Sequence, residues 1–262
     1  MVLELGVHAI AEARTGGRTR FRLTSDLGGP LPISEEAGRR LLGDVKGTVT
    51  VRLTHDLPVG QGFGTSAAGA TATALAVARV VGRSRGDAVE VAHLADLFGG
   101  GGLGGVAAIL GGGLEVRVRP GIPPWGGVVH RSFLPSLLVG VVGDAIPSPR
   151  ILSNPRAIQR LRKAAEGLDR LGSRPSVEAF FELSERFTDR AGLAPASVRT
   201  ALRALRRRGA WAAQAMFGRS FFALPRSSTA RRTVVRWLER ARLPVVELRA
   251  SRTGARILPT VR

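Results

Sequence analysis

The segment from Pro58 to Gly69, PVGQGFGTSAAG, places the strongest constraint on how this chain can fold. It follows a strand-like run at 47–53 and precedes an Ala- and Val-rich run at 67–81 that favours a helix. Alternating glycines allow a tight turn with exposed N–H groups. A helix N-terminus adds unpaired N–H donors and the positive end of the helix dipole, which suit a phosphate. The segment therefore predicts a polyphosphate-binding loop.

Other glycine-rich loops match this segment less well. A Walker-type loop ends in Gly-Lys-Ser/Thr, and the segment has no lysine. A dinucleotide fingerprint needs a third glycine where Thr65 follows Gly60 and Gly62. A strand-to-helix turn without a ligand stays the alternative, and the hydroxyls of Thr65 and Ser66 at the start of the helix argue against it.

Length and composition indicate a globular protein with a sizeable core. The 262 residues are 44% hydrophobic and suffice for one large domain or two small ones. No apolar run reaches the roughly 20 residues that span a bilayer, and no signal peptide is evident at the N-terminus. Cysteine is absent, which excludes disulfides and thiolate chemistry. We therefore expect a cytoplasmic protein without a membrane partner.

The strongly basic balance has two interpretations. The formal net charge is +19, and Lys46 and Lys163 are the only lysines among 39 basic residues. Such a charge attracts nucleic acid, but it is also found in an arginine-rich enzyme that handles anions. The arginines are scattered, and the densest run, 199–208, matches the exposed face of a helix with Leu202 and Leu205 directed inward. Without a recognition motif, we expect no specific nucleic-acid partner.

The order of predicted elements favours an α+β fold, because strands and helices mix without a strict βαβ repeat. The run at 120–127, PGIPPWGG, predicts a hinge or domain boundary. Ser34 and either Ser84 or Asp87 are the predicted N-caps. We expect strands at 2–13, 19–23, 47–53, 114–119, 137–142, 245–249 and 255–258, with two more within 211–224. We expect helices at 34–42, 67–81, 87–98, 155–171, 176–191, 195–208 and 228–241, and a short, less regular helical piece at 106–110.

The glycine loop resembles motif 2 of the GHMP kinases, and its wording, LPVGQGFGTSAAGA, is most similar to that of the archaeal pantoate kinases. Further segments look similar in the same order, at 102–104, 112–117, 148–155 and 214–218. The resemblance runs from about residue 5 to residue 258. It implies a two-domain fold, with an ATP-binding domain like ribosomal protein S5 domain 2 at 1–130 and a ferredoxin-like domain at 131–262.

The resemblance also implies an activity. It is the ATP-dependent phosphorylation of the alcohol group of pantoate to 4-phosphopantoate, in coenzyme A biosynthesis, with Mg²⁺; a homodimer is left open. Similar kinases open with a strand that carries Pro-Gly and a Gly-rich turn. This chain begins at the following strand, so either translation starts upstream of Met1 or part of the substrate pocket is missing.

Phosphoryl transfer needs a positioned γ-phosphate whose charge is neutralised. Ser66 is our candidate for a hydroxyl near Mg²⁺ and the phosphates, with a plain helix N-cap as the alternative. By resemblance, Asp96 aligns with a glutamate that would bind Mg²⁺, and a solvated helix carboxylate is its alternative. The predicted ATP-binding residues are Pro58, Gly60, Gly62, Gly64, Thr65, Ser66, Ala67, Ala68 and Gly218.

Three residues are candidates for binding the substrate. Arg117, in the predicted strand after a glycine run, can clamp a carboxylate or phosphate through two parallel hydrogen bonds. An outward-facing strand arginine is the alternative. Ser148 and Arg150, together with Ser153, are expected in a loop that closes over the substrate.

The largest departure from the family pattern is at Gly105. The pattern reads Gly-Leu-Gly-Asp, with the aspartate as base, whereas residues 102–105 read Gly-Leu-Gly-Gly. The catalytic base is therefore unassigned, and neither Asp56 nor His93 has a suitable spacing. Because a general base contributes about 10²–10⁴-fold, Gly105→Asp is expected to raise activity. The alternatives are a catalytically impaired nucleotide-binding relative and, less favoured, a basic nucleic-acid-binding protein.

Overall fold

The computed structural model describes residues 1–102, 104–132, 135–146 and 148–259, with Ser148 and Pro149 described by backbone alone. These residues form two compact units. The first comprises Met1–Pro58, Gly64–His130 and the chain from Arg252 onward; the second comprises Val59–Phe63 and Arg131–Ser251. Within the described ranges, no helix is both long and apolar enough to span a membrane.

The first unit is built around the strand that leads to the glycine loop. Its three-stranded sheet has the order β1-β3-β2, with β1 antiparallel and β2 parallel to β3; β4 pairs with β5. Alternation along β3 buries Val49, Val51 and Leu53 in a core shared with the alanines of α2. The elements are β1 Val7–Thr15, β2 Arg20–Ser25, α1 Pro32–Leu42, β3 Gly47–His55, α2 Thr65–Val81, α3 Arg85–Phe98, α4 Gly105–Ala108, β4 Leu114–Arg119 and β5 Gly127–Arg131.

Small residues on α2 allow close contact with α1. A Cβ atom on Gly69 would lie only 2.7 Å from the Oγ atom of Ser34. Ser34 is thus buried inside α1, and its prediction as N-cap is wrong. The helix begins at Pro32, since proline, which lacks an N–H, suits the first helical turn. The alternative cap Ser84 is confirmed, because Ser84 and Asp87 form a reciprocal capping box.

The second unit confirms the ferredoxin-like prediction. Its sheet has the order β7-β8-β6-β9 with antiparallel pairing, and helices connect β6 to β7 and β8 to β9. Leu202 and Leu205 are buried against this sheet, as the arginine-rich run predicted. The elements are β6 Ser136–Val141, α5 Ser148–Leu152, α6 Pro155–Ala164, α7 Arg170–Ser173, α8 Val177–Ala191, α9 Ala196–Arg207, β7 Ala210–Gln214, β8 Ser220–Pro225, α10 Ser228–Arg240 and β9 Val245–Arg249.

Several local predictions are corrected by the structure. The predicted helix at 155–171 is two helices, because Gly167 adopts a left-handed φ of +82° between them. The predicted strand at 255–258 is irregular, since Ala255 makes individual hydrogen bonds to Ile109 and Arg85 instead of a ladder. The first strand begins at Val7, and the short elements β5 and α5 were not predicted. The α+β class is confirmed.

Candidate active site

The glycine loop has a backbone that residues other than glycine rarely adopt. Gly60 and Gly62 both have left-handed φ angles, +74° and +82°. A Cβ atom on Gly60 would lie 2.7 Å from the Cβ of Ala145, and one on Gly62 would overlap the backbone carbonyl of Ala215. Conformation and space therefore both require glycine here.

Other residues of the second unit hold this part of the loop. The Gly60 carbonyl accepts a hydrogen bond from Ile146 N at 2.9 Å. Gln61 Nε2 donates to Gly143 O at 2.8 Å, and the Ser220 hydroxyl donates to Gln61 O. A Cβ atom on Gly218 would lie 2.7 Å from Gln61 Cα, so Gly218 packs directly against the loop. Sequence reasoning missed the roles of Gln61 and Ser220; a large polar residue among glycines was the available signal.

In the first unit, the loop leads into the N-terminus of α2. Thr65 is the first helical residue, and the N-cap is Gly64 in a left-handed conformation. No side chain of the described residues caps this helix end. Ser66 is exposed in the first turn and is therefore not the N-cap. The first N–H groups of α2 are left for an anion, which the helix dipole favours.

Asp96, on α3, is a buried carboxylate without hydrogen-bond donors. It is 1% exposed, and neither oxygen has a partner among the described residues. Burial raises the pKa of this carboxyl to about 6. A Cβ atom on Gly105 would lie 2.7 Å from Asp96 Oδ2 and 2.6 Å from Ala67 Cβ. The Asp96 carboxylate and the first turn of α2 therefore both lie next to Gly105.

This arrangement fits a magnesium ion held partly by substrate. In the described part of the chain, no three ligating side chains are grouped closely enough to hold a metal by themselves. Mg²⁺ is commonly bound by one or two carboxylates, several waters and the phosphates of a substrate. Asp96 has two free oxygens beside a helix N-terminus, which fits that mode of binding. Its burial also contradicts the alternative of a solvated helix carboxylate.

Arg117 lies beside the glycine-rich turn that precedes α4. A Cβ atom on Gly104 would lie 3.0 Å from Arg117 Nη1. Arg117 is exposed as a residue, although partial burial of its guanidinium lowers the pKa of Arg117, and it forms no ion pair with any acidic side chain in the described ranges. Burial, and then the charge of Arg117, lower the pKa of His93. The guanidinium is thus available to an anion from solvent.

The other predicted substrate residues lie on regular structure. Ser148 and Arg150 belong to α5, so the prediction that they lie in a loop is wrong; Ser153 does lie between α5 and α6. Arg150 and Ser153 line an open depression of about 600 Å³ together with Asn154 and Arg156. The Ser148 side chain lies outside the described part of the structure, as does Leu103 of the predicted Gly-Leu-Gly segment.

A glycine loop, an uncapped helix N-terminus and a buried carboxylate are the parts that a phosphotransferase requires. The family model for the GHMP kinases N terminal domain matches residues 33–113. The chain is 31% identical over 236 residues to the pantoate kinase of Thermococcus kodakarensis, covering 87% of this chain and 78% of that protein. The pantoate kinase of Methanospirillum hungatei is 26% identical over 228 residues, with 86% and 76% covered.

A solved structure gives the same result. It is described as a phosphotransferase related to the CoA biosynthesis pathway, with a TM-score of 0.79 and 29% identity, and the match covers 97% of this chain and 86% of that one. The chain therefore belongs to the GHMP kinase family, in the group of the pantoate kinases. GHMP kinases are phosphotransferases that use ATP to phosphorylate an alcohol group.

Proposed function

We propose that this protein phosphorylates pantoate to 4-phosphopantoate with ATP, as a step in coenzyme A biosynthesis. The observation that carries the proposal is the buried carboxylate of Asp96, left without donors beside the first turn of α2. A protein with no cation to bind at this point would gain stability by replacing such a group, since a buried polar atom without a partner costs about 1–3 kcal/mol. The relationship to the pantoate kinases supports the substrate.

In the proposed reaction, backbone N–H groups of the glycine loop and of α2 bind the ATP phosphates. Ser66 and Asp96 would hold Mg²⁺, which would neutralise phosphate charge when bound. Arg117 binds the carboxylate of pantoate, and Arg150 is a candidate for a further substrate contact. The substrate hydroxyl oxygen attacks the γ-phosphorus as the bond to the leaving ADP oxygen breaks, and the hydroxyl proton passes to a phosphate oxygen or to water. With Gly105 in place of a base, transfer relies on positioning and electrostatics.

Product analysis tests the substrate. The purified protein is incubated with ATP, Mg²⁺ and either pantoate, mevalonate or homoserine, and ADP release is followed in a coupled assay. We expect pantoate-dependent ADP formation and a phosphorylated product in the mass spectrum. Faster turnover of another alcohol would contradict the proposed substrate while leaving the family unchanged.

Calorimetry with a non-hydrolysable ATP analogue tests the nucleotide site. Gly64→Val should weaken binding, because valine strains a left-handed φ of +71° at the N-cap of α2. Ser66→Ala should weaken binding only in the presence of Mg²⁺. Gly29→Ala is the matched control, since no atom lies within 4 Å of a Cβ atom there. Unchanged binding in both loop variants would refute the assignment of the loop.

A second candidate function is nucleotide binding with impaired turnover, and the glycine at position 105 favours it. It predicts binding of the ATP analogue without phosphorylation of any of the three alcohols.

Under both candidate functions we place this protein in the cytoplasm, which cell fractionation would test. The homodimer that the sequence left open is tested by light scattering.

A further inference from the structure

We propose that Gly101 and Gly105 are positioning residues that hold the Asp96 carboxylate in place for Mg²⁺. The inference rests on the proposed function and assigns to these glycines a role in the reaction. Its basis is space: the carboxylate fills the volume that side chains at both positions would occupy.

Gly101 shows the effect most directly. The three atoms nearest to a Cβ atom on Gly101 all belong to the Asp96 carboxylate, with Oδ1 overlapping it, Cγ at 2.6 Å and Oδ2 at 2.9 Å. The Gly101 N–H also donates to the backbone carbonyl of Asp96 at 2.8 Å, which fixes the turn over the end of α3. Any side chain at position 101 would displace this carboxylate.

Gly105 bounds the carboxylate from the next helix. A Cβ atom at this position would meet Asp96 Oδ2 at 2.7 Å and Ala67 Cβ at 2.6 Å, both closer than such contacts normally allow. The carboxylate oxygen therefore stands almost where a side chain on residue 105 would begin. An aspartate at position 105 cannot be added without moving Asp96 or α2.

Backbone conformation does not explain either glycine. Neither Gly101 nor Gly105 has a positive φ, although Gly100 and Gly102 do. Alanine could adopt the backbone of both positions. Glycine is therefore needed there to leave space for the Asp96 carboxylate, and not to form the turn. The buried Asp96 carboxylate thus requires glycine at position 105. We therefore expect Gly105→Asp to lower kinase activity, and not to raise it as the sequence suggested.

A double-mutant cycle tests whether these glycines act through Asp96. Binding of a non-hydrolysable ATP analogue is measured by calorimetry across a range of Mg²⁺ concentrations, for the unmodified chain, Gly101→Ala, Asp96→Ala and the double variant. Gly101→Ala should raise the half-saturating Mg²⁺ concentration by about 10–100-fold, as is typical when the support of a metal ligand is removed. Binding without Mg²⁺ should not change.

In the Asp96→Ala background, Gly101→Ala should have no further effect on the Mg²⁺ dependence. Gly86→Ala, elsewhere on α3, is the control, since its Cβ would lie at an ordinary 3.5 Å from Ser84 Oγ. If Gly101→Ala fails to fold, the double variant should fold again, because the three atoms nearest to the new Cβ all belong to the Asp96 carboxylate. Failure to restore folding would count against the inference.

Two outcomes separate this inference from the proposed function. If the unmodified chain binds no nucleotide, the proposed function fails, and the inference fails with it. If it binds nucleotide in a Mg²⁺-dependent way and Gly101→Ala behaves like Gly86→Ala, only the inference fails. Independent effects of the two substitutions in the cycle would also overturn it, because the glycine would then act without Asp96.

Discussion

Two carboxylates in the first unit, Asp96 and Glu115, are both buried but differ in their partners. Burial raises both pKa values, to about 6 for Asp96 and about 7 for Glu115. Glu115 Oε1 accepts a hydrogen bond from Gly111 N at 2.6 Å and lies 3.3 Å from His130 Nδ1. Neither oxygen of Asp96 has a hydrogen-bond partner among the described residues, whereas in Glu115 only Oε2 lacks one. Burial is the largest cause of the raised pKa in both groups, so the pKa does not separate them. They differ in that one Glu115 oxygen accepts a hydrogen bond that holds a turn, whereas both Asp96 oxygens are left for a ligand.

The largest expected difference between the two carboxylates is in catalysis. Asp96→Ala should lower kcat/KM for the kinase reaction by about 10²-fold or more, because it removes a proposed metal ligand. Glu115→Ala should keep the rate per folded molecule. Both variants are measured in the ADP-release assay, with active-site titration by the ATP analogue. A folded Glu115→Ala protein with an equally large loss would break the distinction.

The pH dependence of stability should be alike for both groups. A raised pKa contributes stability that is present at low pH and lost as pH rises through the folded-state value. For Asp96, the shift from 3.8 to about 6 corresponds to a loss of about 3 kcal/mol in unfolding free energy. Asp96→Asn should lack this fall between pH 3.8 and about 6, and Glu115→Gln should lack the corresponding fall between pH 4.5 and about 7.

Urea denaturation at several pH values, without Mg²⁺ or nucleotide, measures both effects as differences from the unmodified chain. A variant curve parallel to that of the parent would show that the removed carboxyl is not raised in pKa.

Truncation should separate the two groups by a smaller amount. Glu115→Ala leaves the Gly111 N–H without its acceptor and should cost about 1–3 kcal/mol of stability. Asp96→Ala leaves no hydrogen-bond donor without an acceptor and removes a buried unpaired charge. At pH 8 we therefore expect the stability of this variant to be unchanged or higher. Thermal unfolding of both variants at that pH makes the comparison. Equal destabilisation by the two would mean that Asp96 is as much a structural residue as Glu115.

The smallest expected effect concerns nucleic acid. Net charge +19 should give weak DNA binding at low salt that fades toward physiological salt, whichever carboxylate is replaced. Part of the positive charge is already paired internally, as in Arg206 with Asp189 and Arg231 with Glu247. Titration of labelled duplexes of several sequences tests this. Sequence-selective binding at physiological salt would favour the nucleic-acid alternative over the kinase.

What could be predicted from the sequence depended on how local each signal was. The strand, glycine loop and helix at 47–81 were predicted within a few residues, because alternation, glycines and hydroxyls follow one another along the chain. Asp96 was proposed only through resemblance, since a helix carboxylate shows no burial in sequence. The short elements β5 and α5 were missed because tertiary contacts, and not their own composition, decide whether such segments become regular.

Gly105 shows why the rest of the site could not be predicted. The role of Gly105 depends on Asp96, a side chain of another helix. Comparison with a motif shows that a base is missing at position 105, but it does not show that the Asp96 carboxylate occupies the space beside it. Gln61 and Ser220 are similar: a hydrogen bond between residues far apart in sequence fixes the loop, and a glutamine among glycines is its one sign in the sequence. Sequence patterns predicted which faces are buried and where the loops lie. Which side chains meet in the site depends on distances between residues that only the folded structure determines.

The carboxylate lodged against Gly101 and Gly105 also limits the order in which substitutions can accumulate in such a chain. An aspartate appearing first at position 105 would be disfavoured as long as Asp96 keeps its place. A change at 96 would have to come first, or the two would have to change together. A relative with glycine at the equivalent of 105 therefore cannot be classified as inactive from that position alone; the residue at the equivalent of 96 has to be considered with it.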